Sequence, residues 1–437
     1  MKYRVAICLA VIFAATARLG PAAAPPTPER PQEVGPAPRL PLKAKGPLAG
    51  LPSTPGPHVA KVQALGDNSW LNLGAPAPDP KWGKARGRSW TPRMPYAPAL
   101  RAAFLCGCGQ HGYVKPDGHF MDDLWAYDIN GHRWVCVYPG ADVKALSLKR
   151  DAHGLEVNDS GEHVPVSYMG HGYCNQTYIP DLNRLMLTFT HSPWWTKAMP
   201  QRWDWLDQTY DDVKRRNYGH AGPVIENPRH PLFWDVAEGR WERTFVPGEG
   251  PGDTRFEGVL EYVPYRRQVF FLYRGRVWFY DLAANTWIPS GAERVNIEYD
   301  SWGCYDSKRR RVYVARKEAF WAYDIEAGKW SAIRGEGQPE GLGSCVDGAV
   351  TYDAAGDAVL VHLRGGSGIR IYDPGKNAWT ASAPPPAVEW RSRNINGFYD
   401  PVLNAHYYHL AGDSDDNGIM LVYRYRQAAA QPEAPGP

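Results

Sequence analysis

The sequence predicts an all-β chain folded as a six-bladed β-propeller, on three observations. A strand ending in an aromatic-Asp pair, a short turn and a Trp-led strand recur along the chain. A Tyr-led turn stands upstream of these hairpins in six copies, and the last copy lacks a final strand that the N-terminal side supplies. Composition agrees, because 18 Trp, 25 Tyr and 44 Gly in 437 residues suit many short aromatic strands joined by tight turns.

The N-terminus reads as an export signal. Lys2 and Arg4 precede an apolar run from Val5 to Ala15, and Ala15-Thr16-Ala17 is a small-residue cleavage pattern, so residues 1–17 are expected to be removed. The run is shorter than the roughly 20 apolar residues that span a bilayer, and no later stretch reaches that length. Cys8 lies deep in the run behind Ile7, which speaks against lipidation. Residues 18–60 are rich in Pro, Ala and Gly without apolar periodicity, and are expected to form a disordered linker. The propeller is assigned to 61–427 and a disordered tail to 428–437.

The hairpins are Tyr127-Asp128 to Trp134, Trp234-Asp235 to Trp241, Tyr280-Asp281 to Trp287, Tyr323-Asp324 to Trp330 and Tyr372-Asp373 to Trp379. The upstream turns follow Tyr96, Tyr178, Tyr262, Tyr305, Tyr352 and Tyr399, at intervals of 82, 84, 43, 47 and 47 residues. Each long interval contains one hairpin only, so its excess is insertion; a seventh blade is the alternative. Two hairpins make a four-stranded unit, strands a to d. The copy beginning at Tyr399 has no Trp-led strand d, and Asn68-Ser-Trp70-Leu-Asn-Leu supplies one from the other end. That offset closes a ring and removes the exposed edge.

The Tyr-Asp, turn, Trp hairpins and the Arg364-Gly365-Gly366 step resemble kelch repeats, as in galactose oxidase and bacterial sialic acid mutarotases, over about Trp70 to Arg424. The double glycine occurs in the fifth blade alone; elsewhere the position reads Arg274-Gly275, Lys317-Glu318 or Ala411-Gly412. The resemblance implies the propeller fold, which hosts enzymes, binders and scaffolds alike. Copper radical chemistry would need two His and two Tyr at the channel, one Tyr linked to a Cys. The Tyr408-His409 dipeptide falls on a strand b, away from the axis, which argues against it.

The turns from a to b and from c to d are short. The insertions fall at 109–122, 140–165, 191–231 and 412–417, all in b to c or d to a connections, which emerge on one face of the ring. Five residues before each repeat Tyr stand Thr91, Tyr173, Glu257, Asp300, Asp347 and Asn394, with His171, Arg255, Glu298 and Arg393 close by. This polar ring suits a ligand whose hydroxyls meet carboxylates and whose acid group meets arginine. Tyr173, Asn175, Glu298, Trp302, Arg393 and Asn394 are therefore candidate ligand contacts, with Trp194 and Trp195 from the blade-two insertion as stacking surfaces. Glu257, Asp300, Asp347, His171 and Arg255 are candidates for acid and base chemistry.

Three functions follow as expectations. The first is a secreted or periplasmic binder of a polar small molecule, glycan or peptide; the second, a carbohydrate epimerase, mutarotase, lyase or hydrolase at the channel mouth; the third, a scaffold of the cell envelope. A net charge of +3, with 49 basic and 46 acidic residues, gives no support to nucleic acid binding. No cofactor is expected. Cys106, Cys108 and His111 have a pattern open to a soft metal, and Asp413, Asp415 and Asn417 form half of a calcium loop, with Arg424 where its closing Glu would stand. The cysteines are expected to be mostly buried thiols, since their strands offer no obvious disulfide partners.

Overall fold

The computed structural model describes residues 43–107, 114–165, 171–188, 229–251, 258–297, 301–345, 348–363, 367–388, 394–412 and 418–427. Strand β1 (Ser69–Gly74) comes first. Blade 1 is β2 (Tyr96–Ala97), β3 (Ala102–Cys106), β4 (Leu124–Asp128) and β5 (Arg133–Tyr138), and a hairpin of β6 (Leu148–Arg150) and β7 (Glu156–Asn158) follows. Blade 2 is β8 (Gln176–Ile179), β9 (Arg184–Leu187), β10 (Leu232–Asp235) and β11 (Arg240–Arg243). Blade 3 is β12 (Gly258–Val263), β13 (Gln268–Tyr273), β14 (Arg276–Asp281) and β15 (Thr286–Pro289). Blade 4 is β16 (Trp302–Asp306), β17 (Arg311–Arg316), β18 (Ala319–Asp324) and β19 (Lys329–Ala332). Blade 5 is β20 (Gly348–Asp353), β21 (Ala358–Leu363), β22 (Ile369–Asp373) and β23 (Ala378–Ala381). Blade 6 is β24 (Asn394–Asp400), β25 (Ala405–Ala411) and β26 (Ile419–Arg424), with β1 as its fourth strand.

The repeated residues make the turns. The Asp after each aromatic accepts from the turn amides that follow: Asp281 Oδ1 from Ala283 at 3.0 Å and Ala284 at 2.9 Å, Asp306 Oδ1 from Lys308 at 2.9 Å and Arg309 at 3.0 Å. The residue five after the Tyr is left-handed at Arg101, His132, Asn183, Arg267, Asn285, Arg310, Asp357, Asn377 and Asn404, with φ from 48° to 55°. Asn and Asp tolerate this conformation better than most residues. The tyrosine hydroxyl often donates to the same residue, as in Tyr280 to Asn285 at 2.6 Å, Tyr372 to Asn377 at 2.9 Å and Tyr399 to Asn404 at 2.9 Å.

Closure reproduces this turn from the two ends of the chain. Asn68 is left-handed at φ 47°, and its Oδ1 accepts the Tyr423 hydroxyl at 2.8 Å, as if it stood five residues after that tyrosine. Trp70 then pairs with Tyr423, where Trp287 pairs with Tyr280 and Trp379 with Tyr372. The inner strands touch in order from β2 through β8, β12, β16, β20 and β24, and β24 touches β2 again. The ring therefore has six blades, and the two long intervals are insertions rather than a seventh. Arg101 on blade 1 straddles the seam with hydrogen bonds of 2.5 and 2.8 Å to the Asp400 carboxylate of blade 6.

The core lies between blades and is largely aromatic, for example Phe270 against Tyr323 at 5.4 Å and Phe320 against Tyr372 at 5.1 Å. Cys106, Cys136, Cys174, Cys304 and Cys345 are buried free thiols. The tract expected to stay unpacked up to residue 60 differs from that expectation. A 3-10 turn at Gly46–Gly50 and helix α1 (Pro57–Gln63) bury Leu48, Leu51, Val59 and Val62 against the propeller, and the Lys45 amide donates to Val236 at 3.1 Å. Four isolated apolar side chains show no period in the sequence, yet each fills a slot that the blades already provide. Among the described residues no helix is long and apolar enough to cross a membrane.

Trp70 packs on Tyr423 at 4.8 Å and donates through Nε1 to Ala383 at 3.0 Å. Trp70→Ala should lower the unfolding free energy by about 3 kcal/mol, the scale of a tryptophan removed from a core. Urea denaturation measures it, and an unchanged midpoint would remove the closing role from this residue.

Candidate functional site

Between β1 and β2 the chain crosses the end of the channel that carries the insertions, then turns down the axis. Gly87 passes so close to blade 6 that a Cβ there would stand 2.0 Å from the Ala411 carbonyl oxygen, which only glycine allows. Asn396 of β24 accepts the Arg88 amide at 3.2 Å and donates to the carbonyls of Arg88 and Thr91 at 2.9 and 2.5 Å. Met94 and Gly397 continue the attachment, with Met94 donating to Gly397 at 2.9 Å and Gly397 to Pro92 at 3.0 Å. Pro92 and Pro95 hold the strip extended on either side of Arg93.

Arg93 plugs the channel. Its guanidinium donates to the carbonyls of Leu260 at 2.5 Å, Gly303 at 2.5 Å and Gln176 at 3.4 Å, and to the Glu261 carboxylate, so one side chain from the strip ahead of blade 1 ties blades 2, 3 and 4. Burial pushes the Glu261 carboxyl up, while Arg93 and the Tyr305 amide pull it back. Burial also pushes the Cys174 and Cys304 thiols up, so they stay neutral beside the pair. On the short-turn side of Arg93 a cavity of ≈ 200 Å³ is lined by Thr177, Glu261, Cys304, Thr351 and Phe398. That is below the roughly 300 Å³ at which small-molecule sites begin.

The insertion side of the plug carries an aromatic cluster. Trp90 stacks on His171 at 5.6 Å with 22° between planes, and Tyr173 meets both edge-on at 5.9 and 5.8 Å. Trp90 and Tyr173 are both left-handed, at φ 55° and 44°, and the Tyr173 amide donates to the Trp90 carbonyl at 2.5 Å. Thr91 Oγ1 accepts the Gly172 amide at 2.9 Å beside them. Left-handed backbone at a non-glycine residue costs on the order of 1–3 kcal/mol, and two such residues joined at one point mark a place the fold holds against local preference.

The predicted site residues divide accordingly. The structure brings His171, Tyr173 and Thr91 together beneath Trp90, all three buried, and Asn394, also buried, opens β24 on the same side. Asn175 and Trp302 are fully enclosed. Glu257, Asp300, Asp347, Arg255, Glu298, Arg393, Trp194 and Trp195 lie outside the described residues, as do Cys108, His111, Asp413, Asp415 and Asn417. Cys106 is buried and its thiol donates to Gln176 Oε1 at 2.9 Å. Among the described residues no group of three or more His, Cys, Asp or Glu is placed to hold a metal ion. Sequence reasoning missed Trp90, Arg93 and Glu261. The available signal was the stretch between Gly74 and Tyr96, longer than a simple link between neighbouring strands requires.

A buried charge network anchors the start of the plug. Arg88 Nη2 donates to Asp123 Oδ1 at 2.7 Å, and Lys115 Nζ and Trp125 Nε1 donate to Oδ2 at 3.2 and 2.8 Å. Against the penalty of burial, Arg88 and Lys115 hold the Asp123 carboxyl low. Asp122 beside it accepts the Ala141 amide at 2.8 Å through Oδ1, while its Oδ2 is buried without a partner among the described residues. Burial raises this carboxyl to about 7 in spite of the Ala141 hydrogen bond, and the Asp123 charge adds to the rise.

Two outcomes follow. Arg93→Met leaves the Glu261 carboxylate buried and unanswered, at a cost of about 3–5 kcal/mol, and Arg93→Met with Glu261→Leu should recover most of it; urea denaturation of the three proteins decides. Asp122 keeps its proton in the folded state where the unfolded chain has released it, so its contribution is present at acid pH and is lost as pH rises from about 4 to about 7. The stability difference between Asp122→Asn and the parent should therefore grow in the variant's favour across that window, and equal slopes against pH would contradict the assignment.

No protein-family model matches this sequence, and no curated protein matches it. Among solved structures, an auxiliary nutrient binding protein from Bacteroides thetaiotaomicron aligns over 81% of this chain and 76% of its own, at 11% identity and a TM-score of 0.44.

Proposed function

We propose that this protein is an exported propeller of the kelch kind that binds a polar, ring-bearing ligand, a carbohydrate, on the face carrying its insertions. The observation that supports this reading is Trp90, part-exposed at the channel mouth and backed by the buried rings of His171 and Tyr173, in a left-handed turn above the Arg93 plug. Aromatic faces take the apolar face of a sugar ring, and the neighbouring polar groups take its hydroxyls. With the axis blocked at Arg93, a ligand at the mouth has a floor rather than a channel beneath it.

The test is a screen of neutral and acidic oligosaccharides by isothermal titration, followed by the strongest binder against Trp90→Ala. Loss of stacking should weaken binding by about tenfold or more, equal to about 1.4 kcal/mol. Unchanged affinity in a variant that melts like the parent would move the site away from the mouth.

A further inference from the structure

A second cavity lies at the side of the ring, between the outer strands of blades 1 and 2 and the insertion that joins them. It measures ≈ 430 Å³, twice the axial cavity and within the range of about 300–1,000 Å³ typical of small-molecule sites. One wall is aromatic. Tyr138 at the end of β5 meets Trp241 edge-on at 6.0 Å and 89°, and Trp241 meets Trp234 at 5.2 Å and 76°. Both indole N–H groups are buried and donate to nothing among the described residues. The opposite wall comes from the end of β7 and the turn that follows it and carries Asn158, Glu162 and His163, while Arg240 of blade 2 completes the rim.

The cavity is a built feature, because the insertion has its own means of holding shape. Phe120, Ala141 and Val164 form a small core with Val114, Val143, Leu146 and Leu148, and Ala141, Leu146 and Val164 of that core line the cavity beside the polar groups. Its root is pinned by Lys115 to the Pro139 carbonyl at 2.6 Å and by Asp122 to the Ala141 amide at 2.8 Å. The turn that follows β7 is closed by Asn158, whose Oδ1 accepts the Ser160 and Glu162 amides at 3.0 and 2.9 Å. A wall fixed in this way loses little freedom when a ligand enters.

We infer that this cavity is a second saccharide site, in which Tyr138 and Trp241 take the apolar face of a neutral sugar and Asn158, Glu162, His163 and Arg240 take its hydroxyls. The chemistry excludes two alternatives. A wholly apolar ligand would strand the polar rim, and an anion would meet Asp142, Asp159 and Glu162, with Arg240 as the one arginine of the lining among the described residues. The site is independent of the mouth proposed above.

The experiment titrates the full mature chain with maltotriose, cellotriose and chitotriose in turn, with choline as the cationic control for an aromatic site. At least one trisaccharide should bind. Tyr138→Ala and the exposed rim variant Glu162→Lys should each weaken that binding about tenfold or remove one equivalent of stoichiometry, and Trp90→Ala should leave the same equivalent in place. The rim variant guards against misfolding, because Glu162 is exposed on the turn after β7. Saccharide binding untouched by both Tyr138→Ala and Glu162→Lys overturns the lateral site, as does failure of all three trisaccharides to bind or binding of choline in their stead. Loss on Trp90→Ala alone assigns all binding to the mouth, whereas indifference to Trp90→Ala alone overturns the mouth and leaves the lateral site standing.

Discussion

Every blade of this propeller is held by neighbours on both sides, so the ring exists only if the last blade finds its fourth strand. That strand is β1, delivered from the N-terminal side, and the joint is a hairpin turn divided between distant parts of one chain. Asn68 accepts the Tyr423 hydroxyl with the left-handed backbone that the intact turns use, and Trp70 takes the place of the tryptophan that opens the other fourth strands. Polar locks stand on either side of the closing blade. Arg101 holds Asp400 across the seam with blade 1, and His406 spans the seam with blade 5, 2.8 Å from Thr351 and 3.1 Å from Asp353. Pairing the edge strand also removes a surface on which other chains could add.

Closure and the plug are coupled through the chain itself. Once β1 is placed on blade 6, the stretch up to β2 must travel from the outside of that blade to the axis, and it does so over the end where the insertions emerge. Asn396 and Gly397 hold it to blade 6 on the way, Arg88 anchors it in the Asp123 network, and Arg93 ends it in a nest of carbonyls and one carboxylate from three other blades. The same excursion puts Trp90 beside His171 and Tyr173. One strip of chain thus completes the ring, blocks its axis and furnishes the aromatic group at its mouth.

Much of the architecture was legible because the repeat is local chemistry. A Tyr, an Asp and a left-handed residue within a few positions make a turn wherever they occur, and spacing alone then yields six blades, a shared last sheet and the face on which insertions gather. The mouth was legible in part: Thr91, His171 and Tyr173 follow from counting back along the inner strands. Trp90, Arg93 and Glu261 were not, because nothing near them in the chain states that a segment before the first blade will enter the axis. Leu48, Leu51, Val59 and Val62 escaped for a related reason, since isolated apolar residues acquire meaning only from the slots they fill.

The sequence by itself determined the class of fold, the number of blades and the offset that closes them, since each of these rests on contacts between residues close in the chain or on a repeated pattern. Tertiary structure decided what occupies the axis, which aromatics face one another at the mouth and where a second cavity opens between blades 1 and 2. Those facts depend on which surfaces meet when the ring shuts. Side chains far apart in the chain, such as Arg93 and Gly303, or Tyr138 and Trp241, come within reach only then.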